Sequence, residues 1–392
     1  MSARRQGGGG TGPGGTGAPR GAWRLLRDDG AGAAAGLALD EALLAGYARG
    51  EPDRPPTLRL YSYRSHCALI GRYQNLAAEV DLGECERTGT QVSRRPTGGG
   101  AIIMGAGQLG VAWAGRAPAG QRPREIIESL SAGVTAGLAR LGIAASFRGK
   151  NDLEAGGRKI AGLGLYVDGA GGMLFHASVL AGLDVGFMLR VLRIPAAKLA
   201  GKAAAAVAGR VTTVTELTGA EHTAATIRDA IAAGFAEAFG AGLAPGEPSP
   251  AERDLAARLA AERYANPAWL HERSMSADGS GSAAIRTPAG LARVYLTTHG
   301  DLIKSALVVG DFNELPHALA ELESALRWRR LDEATVTGAV ARSGAAGALG
   351  VPGPALAAAI LAAGRQAGER ATAAPARSAG SCYFPEPARS AT

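Results

Sequence analysis

The chain has 392 residues, 46% hydrophobic and 20% charged, which is enough apolar content for two buried cores and excludes a largely disordered protein. Its formal charge of +7 suggests nucleic acid, but residues 1–27 hold five arginines and no acid, and the stretch from Arg365 adds a net +2. The middle is therefore neutral, so the basic tails read as solvated and no nucleic-acid partner is expected.

Three cysteines, Cys67, Cys85 and Cys382, show neither paired nor CxxC spacing, which fits a reducing, cytoplasmic setting. Met1–Gly17 lacks the apolar run of a secretory signal. Gly344–Gly364 carries no charge, but Pro352-Gly353-Pro354 breaks it, so a short helix is expected there and no membrane span.

In chain order, residues 1–22 read as a disordered Gly-rich tail. Leu37–Tyr47 has helical apolar spacing, with Asp40 and Glu41 expected to face solvent. Leu58–Tyr63 and Ala68–Gly71 read as strands, and Asp81–Arg87 as a short helix bearing Cys85. Val111–Ala114 is strand-like, and Glu125–Leu141 is an amphipathic helix ended by Gly142. Ile143–Arg148 is a further strand. A hairpin follows, Arg158 to Val167 and Met173 to Leu180, then helices over Phe187–Leu192 and Thr223–Phe239. Leu243–Pro250 looks like a linker. Beyond it lie a helical stretch, Ala251–Tyr264, a hairpin at Leu291–Leu296 and Leu302–Val309, and a helix carrying Leu315, Leu319, Leu322 and Leu326. The expected divisions are a catalytic domain over 23–245, an accessory α+β domain over 250–343, and an Ala/Gly/Pro-rich tail over 344–392.

The densest chemical signal is Arg94-Arg95-Pro96-Thr97-Gly98-Gly99-Gly100-Ala101. Arginine grips phosphate or carboxylate through two parallel bonds, and consecutive glycines let backbone approach a ligand closely. It reads as an anion-binding turn entering the strand Ile102–Met104. Gly105-Ala106-Gly107-Gln108-Leu109-Gly110 matches the dinucleotide fingerprint, but Val111-Ala112-Trp113 does not open a helix, so no dipole awaits a pyrophosphate. No two of the six histidines stand four residues apart, and no zinc site is expected.

Taken together, the motifs resemble the lipoate–protein ligase A family. Arg94–Ala101 is similar to its RRxSGGGAV motif, and Ile70-Gly71-Arg72-Tyr73-Gln74-Asn75 to its GRxQN segment. Asn151-Asp152-Leu153 with Gly157-Arg158-Lys159-Ile160-Ala161-Gly162 resembles its NDL and GRKISG pair. Phe175-His176-Ala177-Ser178 resembles its double-histidine strand, and Lys198–Lys202 with Arg210–Leu217 the end of its catalytic domain.

The resemblance implies an α+β fold like that of biotin ligases and class II aminoacyl-tRNA synthetases: a mixed sheet with flanking helices, plus a small C-terminal α+β accessory domain. It implies an ATP-dependent enzyme that converts lipoate or octanoate to acyl-AMP and transfers the acyl group to a lysine of a lipoyl domain. Acceptors would be E2 subunits or the glycine-cleavage H protein. Lys159 and Arg95 would be catalytic. Arg95, Thr97, Gly98, Gly99, Gly100, Ala101, Ile103, Asn151, Asp152, Lys159 and Ser178 would bind ATP and the adenylate. Mg²⁺ would enter on the ATP phosphates, with Asp152 as its one candidate protein ligand, and no resident cofactor is implied. Strands around Val111, Leu163 and Leu174 would line an acyl slot.

The chain departs from the family pattern where Met104-Gly105 replaces His-Asp, and where the double histidine is reduced to His176 behind Phe175. Two other readings remain: an ATP-independent octanoyl or lipoyl transferase, which would need a cysteine nucleophile near these motifs, and a non-catalytic acyl- or nucleotide-binding paralogue.

Overall fold

The computed structural model describes residues 21–47, 54–148, 151–193, 209–222, 224–275, 280–288, 290–312 and 316–373. The expected tails beyond these limits, Lys198–Lys202 and Cys382 lie outside the described residues. The chain forms two compact units. The first holds the N-terminal side to Ile70, Val80–Thr97 and Ala101–Leu270; the second holds Gly71–Glu79, Gly98–Gly100 and the chain from His271.

The first unit is built on an eight-stranded mixed sheet. Its strands include β1 (Ala22–Ala31) and β2 (Thr57–Tyr63), while β3 (Cys67–Ile70), β4 (Gln91–Arg94) and β5 (Ile102–Met104) form a separate three-stranded sheet. The large sheet continues with β6 (Gln108–Arg116), β7 (Ala145–Arg148), β8 (Asp152–Ala155), β9 (Arg158–Val167), β10 (Gly172–Leu180) and β11 (Gly242–Pro245). Its order is β11-β1-β2-β6-β10-β9-β8-β7. Only β1 pairs parallel, with β2 on one side and β11 on the other.

Helices cover both faces of this sheet. On one side α1 (Ala33–Ala45) packs with Tyr61, Ala112, Ala114 and Leu174. Between β3 and β4 runs the short α2 (Leu82–Thr88), whose N-cap Asp81 accepts from the Glu84 amide. On the opposite face α3 (Pro123–Arg140) and α4 (Ala224–Phe239) bury Leu58, Leu60, Val111, Trp113 and Phe175. Gly137 and Gly234 let these two helices touch backbone to backbone, since a Cβ on Gly234 would lie 2.1 Å from the Gly137 nitrogen. A further helix, α5 (Pro250–Leu259), continues as a π-helical turn over Ala260–Tyr264, and Tyr264 Oη donates to Glu41 at 2.6 Å.

The expected linker at Leu243–Pro250 is instead the edge strand β11 and the start of α5. Proline and glycine there suggested a break, yet an edge strand tolerates Pro245 because it has no second neighbour. Arg24 donates to both oxygens of Glu252, at 2.8 and 2.6 Å, and Arg54 pairs with the same carboxylate, so this segment is fastened to the N-terminal strand.

The second unit has an antiparallel sheet of β12 (Ser280–Thr287), β13 (Gly290–His299) and β14 (Leu302–Gly310). Three longer helices, α6 (His317–Leu326), α7 (Glu333–Ser343) and α8 (Gly353–Ala373), share its apolar core, from Val294 and Leu296 to Leu356 and Ile360. The region read as a tail beyond 344 therefore continues the fold to Ala373. Its alanines hide the amphipathic period, but Leu356, Ile360 and Ala363 are fully buried. Among the described residues, no helix is long and apolar enough to cross a membrane.

Candidate active site

Strand register places the family-like motifs on the α1 face of the large sheet. Asp152, Gly162, Ser178, Gly110 and Tyr61 are successive cross-strand partners on β8, β9, β10, β6 and β2. Cross-strand partners share a face, so these residues form one row. Two residues along, Gly164, His176, Ala112 and Arg59 form a second row. The glycines make room for neighbouring side chains. A Cβ on Gly162 would meet Lys159 Nζ at 3.1 Å and Ser178 Oγ at 3.5 Å, and one on Gly164 would strike the His176 ring at 2.1 Å.

Lys159 is the second residue of β9 and is held by its backbone. Its amide donates to the Arg210 carbonyl at 2.8 Å, and its carbonyl accepts from Thr212 N–H at 2.8 Å. Its ammonium lies 2.6 Å from Asp152 Oδ1, with both side chains about a third exposed (35% and 36%). Asn151 is tied to β9 through Leu163, whose amide donates to the Asn151 carbonyl at 2.7 Å and whose carbonyl accepts from Asn151 Nδ2 at 3.3 Å. The result is a fixed cation over a glycine, flanked by a carboxylate and a hydroxyl.

Arg95, Thr97 and His176 make the adjoining cluster. Arg95 is buried, and its Nη1 donates to the Leu69 carbonyl at 2.5 Å, so part of the guanidinium is engaged by backbone. Thr97 Oγ1 and His176 Nε2 are 3.3 Å apart, one of them donating. Desolvation first, and the Arg95 charge second, push the His176 imidazole down to about 3. A neutral ring beside a buried cation is a fixed hydrogen-bonding group, not a proton store near neutrality.

The structure thus brings together Lys159, Asp152, Ser178, Asn151, Arg95 and Thr97. Ile103 is elsewhere, opposite Ala68 in the three-stranded sheet, and Ala101 leads into the same strand. Gly98, Gly99 and Gly100 belong to the second unit. There the Gly99 amide, expected to face a ligand, donates to the Phe312 carbonyl at 2.9 Å, and Gly99 takes a φ of +89° that favours glycine. Arg94 is fully buried and donates to the Leu270 carbonyl at 2.8 Å, while the Trp269 indole donates to the Arg94 carbonyl at 2.9 Å. It is a structural arginine.

The proposed acyl-slot residues divide between faces. Val111 and Leu163 are buried under α3 and α4, on the side away from Lys159, and only Leu174 shares the face of His176 and Ser178. The Met104-Gly105 departure also has a local explanation. A Cβ at Gly105 would come within 2.9 Å of His66 Cδ2, and the His66 ring packs tilted against Phe187 with centroids 4.3 Å apart, so another histidine from the β2–β3 turn occupies that space.

Sequence reasoning missed a buried charge cluster on the same face. Arg59 is fully buried, donates to Asp40 Oδ1 at 2.6 Å, pairs with Asp28, and lies 4.2 Å above the Tyr61 ring. Asp40 is buried, not solvent-facing. The signal was present: Asp40 stands three residues after Leu37 and four before Leu44, on the helix's buried stripe.

Chemically, the site offers a fixed positive charge of the kind that stabilises an oxyanion. A divalent cation could use Asp152 together with phosphate oxygens; among the described residues no three His, Cys, Asp or Glu side chains cluster as a self-sufficient metal site. Cys67 and Cys85 are both buried, and burial pushes their thiols up to about 12 and about 11, with Asp81 and Glu84 adding to the rise at Cys85. Neither is poised as a thiolate.

Comparison with known proteins identifies the domain. The lipoyl protein ligase A/B catalytic domain model matches residues 33–236, about half of the chain. An octanoyltransferase LipM from Symbiobacterium thermophilum is 32% identical over 272 residues, covering 63% of this chain and 97% of the relative. Lipoate-protein ligase A subunit 1 of Thermoplasma acidophilum is 28% identical over 244 residues, covering 59% and 90%. Among solved structures, the bipartite lipoate protein ligase of Thermoplasma acidophilum superimposes with a TM-score of 0.58 at 26% identity, covering 66% of this chain and 98% of that one. A lipoate-protein ligase A bound with ATP gives 0.56 at 25% identity, covering 64% and 99%. The α+β fold, the matched domain and the row of motifs around Lys159 lead to one conclusion: the chain belongs to the lipoyl protein ligase A/B catalytic domain family.

Proposed function

We propose that this protein attaches a lipoyl or octanoyl group to a lysine of a lipoyl-domain acceptor, and that it activates the acid with ATP. The observation that carries the reading is the Lys159 ammonium, fixed over Gly162 by Asp152 and by backbone bonds to the Arg210–Thr212 segment. In the first step the acid's carboxylate oxygen attacks the α-phosphorus of ATP, and the bond to pyrophosphate breaks. Lys159 neutralises charge on the carboxylate and phosphate oxygens, and Ser178 and Thr97 offer hydroxyls on the same face. Asp152 holds the ammonium, and it is the carboxylate that would take an Mg²⁺ ion brought by ATP, which would add charge neutralisation on the phosphates. In the second step the acceptor's neutral ε-amine attacks the acyl carbon, AMP leaves, and the amine's proton is lost to solvent.

A second reading is favoured by the relatives themselves: the LipM octanoyltransferase matches at higher identity than the ligase subunit, 32% against 28%. There the donor is an octanoyl thioester and ATP is not used. The buried, high-pKa thiols of Cys67 and Cys85 speak against an enzyme-bound thioester on either of them. The test is acyl transfer to a purified lipoyl domain, with lipoate or octanoate plus ATP and Mg²⁺ in one arm and octanoyl-carrier thioester in the other. Pyrophosphate release coupled to acylation supports the ligase. Transfer from the thioester without ATP overturns it in favour of the transferase, and acid binding without either turnover would leave a binding protein.

A further inference from the structure

The second unit carries a basic, aromatic turn that its own packing does not use. Between α6 and α7 the chain reads Arg327-Trp328-Arg329-Arg330, all four exposed. At 51% exposure, Trp328 is the most solvent-accessible of the exposed large hydrophobic side chains described. It also has a φ of 57°, the only non-glycine residue described in the left-handed region, where a bulky side chain is strained. Three backbone bonds hold the turn in that shape: Trp328 N–H to the Ile303 carbonyl at 2.6 Å, Ile303 N–H to the Arg329 carbonyl at 2.8 Å, and Leu331 N–H to the Asp301 carbonyl at 2.8 Å. They stitch it beside Lys304, an exposed cation on β14 next to buried Ile303.

The charges are not internally balanced. Arg330 faces Asp301 at 3.2 Å and Asp332 at 3.9 Å. Arg327, Arg329 and Lys304 form no ion pair with any described carboxylate. A solvated loop needs neither a strained tryptophan nor a rigid frame, whereas Trp and Arg in company are the residues that dominate protein interfaces.

We infer that the Arg327–Arg330 turn, with Lys304, is a docking surface for the acidic face of the acceptor protein. Three uncompensated cations select carboxylates, and the Trp328 ring supplies a rigid apolar anchor among them. This inference rests on the acyl-acceptor reading above and adds to it where the acceptor is held. An RNA or DNA strand is the competing anionic partner, but four cations around one ring make a patch too short to follow a phosphate backbone.

The test uses the full chain and a purified lipoyl domain, and compares wild type with Trp328→Gly and with the double variant Arg327→Glu/Arg329→Glu. Glycine accepts the left-handed φ, so Trp328→Gly should melt no lower than wild type. Both variants should raise the acceptor KM about tenfold, with kcat and acid activation measured without acceptor unchanged. The wild-type KM should rise with salt. An unchanged acceptor KM in both variants overturns the inference, as does weakened binding of a single-stranded oligonucleotide with acceptor affinity intact. If wild type transfers no acyl group at all, the functional reading fails, and calorimetric binding of wild type and variants to the lipoyl domain still decides the docking surface.

Discussion

The two faces of the large sheet are built by the same strands and do different work. On β10, Phe175, Ala177 and Val179 point under α3 and α4, while Leu174, His176 and Ser178 point toward α1. The first face is built mainly of apolar side chains and closed by aromatic contacts such as Phe235 against Phe239 at 5.8 Å. The second mixes glycines, an ion pair at Lys159 and a buried arginine, and its polar groups hold one another in place. The difference shows how a strand's two-residue period lets one segment serve an apolar core on one side and a polar cluster on the other.

Substitutions can break this comparison, and the largest effects belong to buried groups on either face. Phe235→Ala should lower unfolding free energy by about 3–5 kcal/mol, with turnover per folded molecule preserved. Urea denaturation alongside active-site titration separates the two. Asp40→Ala tests whether the other face is only functional: it leaves Arg59 buried with less compensation and should cost about 3–5 kcal/mol as well. A near-neutral Asp40→Ala would mean that the charge cluster is not structural.

Lys159→Ala should reverse the pattern, reducing acyl transfer on the order of 10²–10³-fold while changing stability by less than about 1 kcal/mol, because its ion pair is partly exposed. Single-turnover assays read the first effect and thermal melts the second. Gly164→Ala should be intermediate, costing about 1–3 kcal/mol as the new methyl displaces the His176 ring, with reduced turnover.

The last test is a pH dependence that vanishes near neutrality. The His176 pKa is depressed to about 3 in the folded state, so between the ordinary histidine range near 6.5 and about 3 the unfolded chain binds the extra proton. Its contribution to stability is therefore complete above about pH 6.5 and is lost as pH falls through that window. Replacing His176 by Gln should flatten part of that slope in denaturation midpoints, and no His176 titration should show in activity profiles near neutrality.

The sequence was most informative where chemistry and spacing coincide. Lys159, Asp152 and Ser178 were legible from their motifs, and register brings them together around Gly162. It was least informative where partners come from distant segments. Asp40 looked like a surface acid because Arg59 belongs to a strand nineteen residues later. Gly99 looked ready for a ligand because nothing local announces that Phe312 will accept its amide bond. Val111 and Leu163 were apolar and near the motifs, but one step of strand alternation turns them to the other face. The long α8 was hidden by composition, since alanine on every side leaves little contrast between faces.

The fastening of β1 to β11 has a consequence for how the molecule is made. Strand β1 leaves the ribosome well before Glu252, which clasps Arg24 and follows it by 228 residues. Until then one edge of β1 has open backbone groups, and the helix bearing Glu252 is absent. The sheet therefore cannot close during early synthesis, which favours late completion and exposes nascent chains to edge-to-edge association. Chains cut short before residue 242 should accumulate as aggregates even with every motif around Lys159 present.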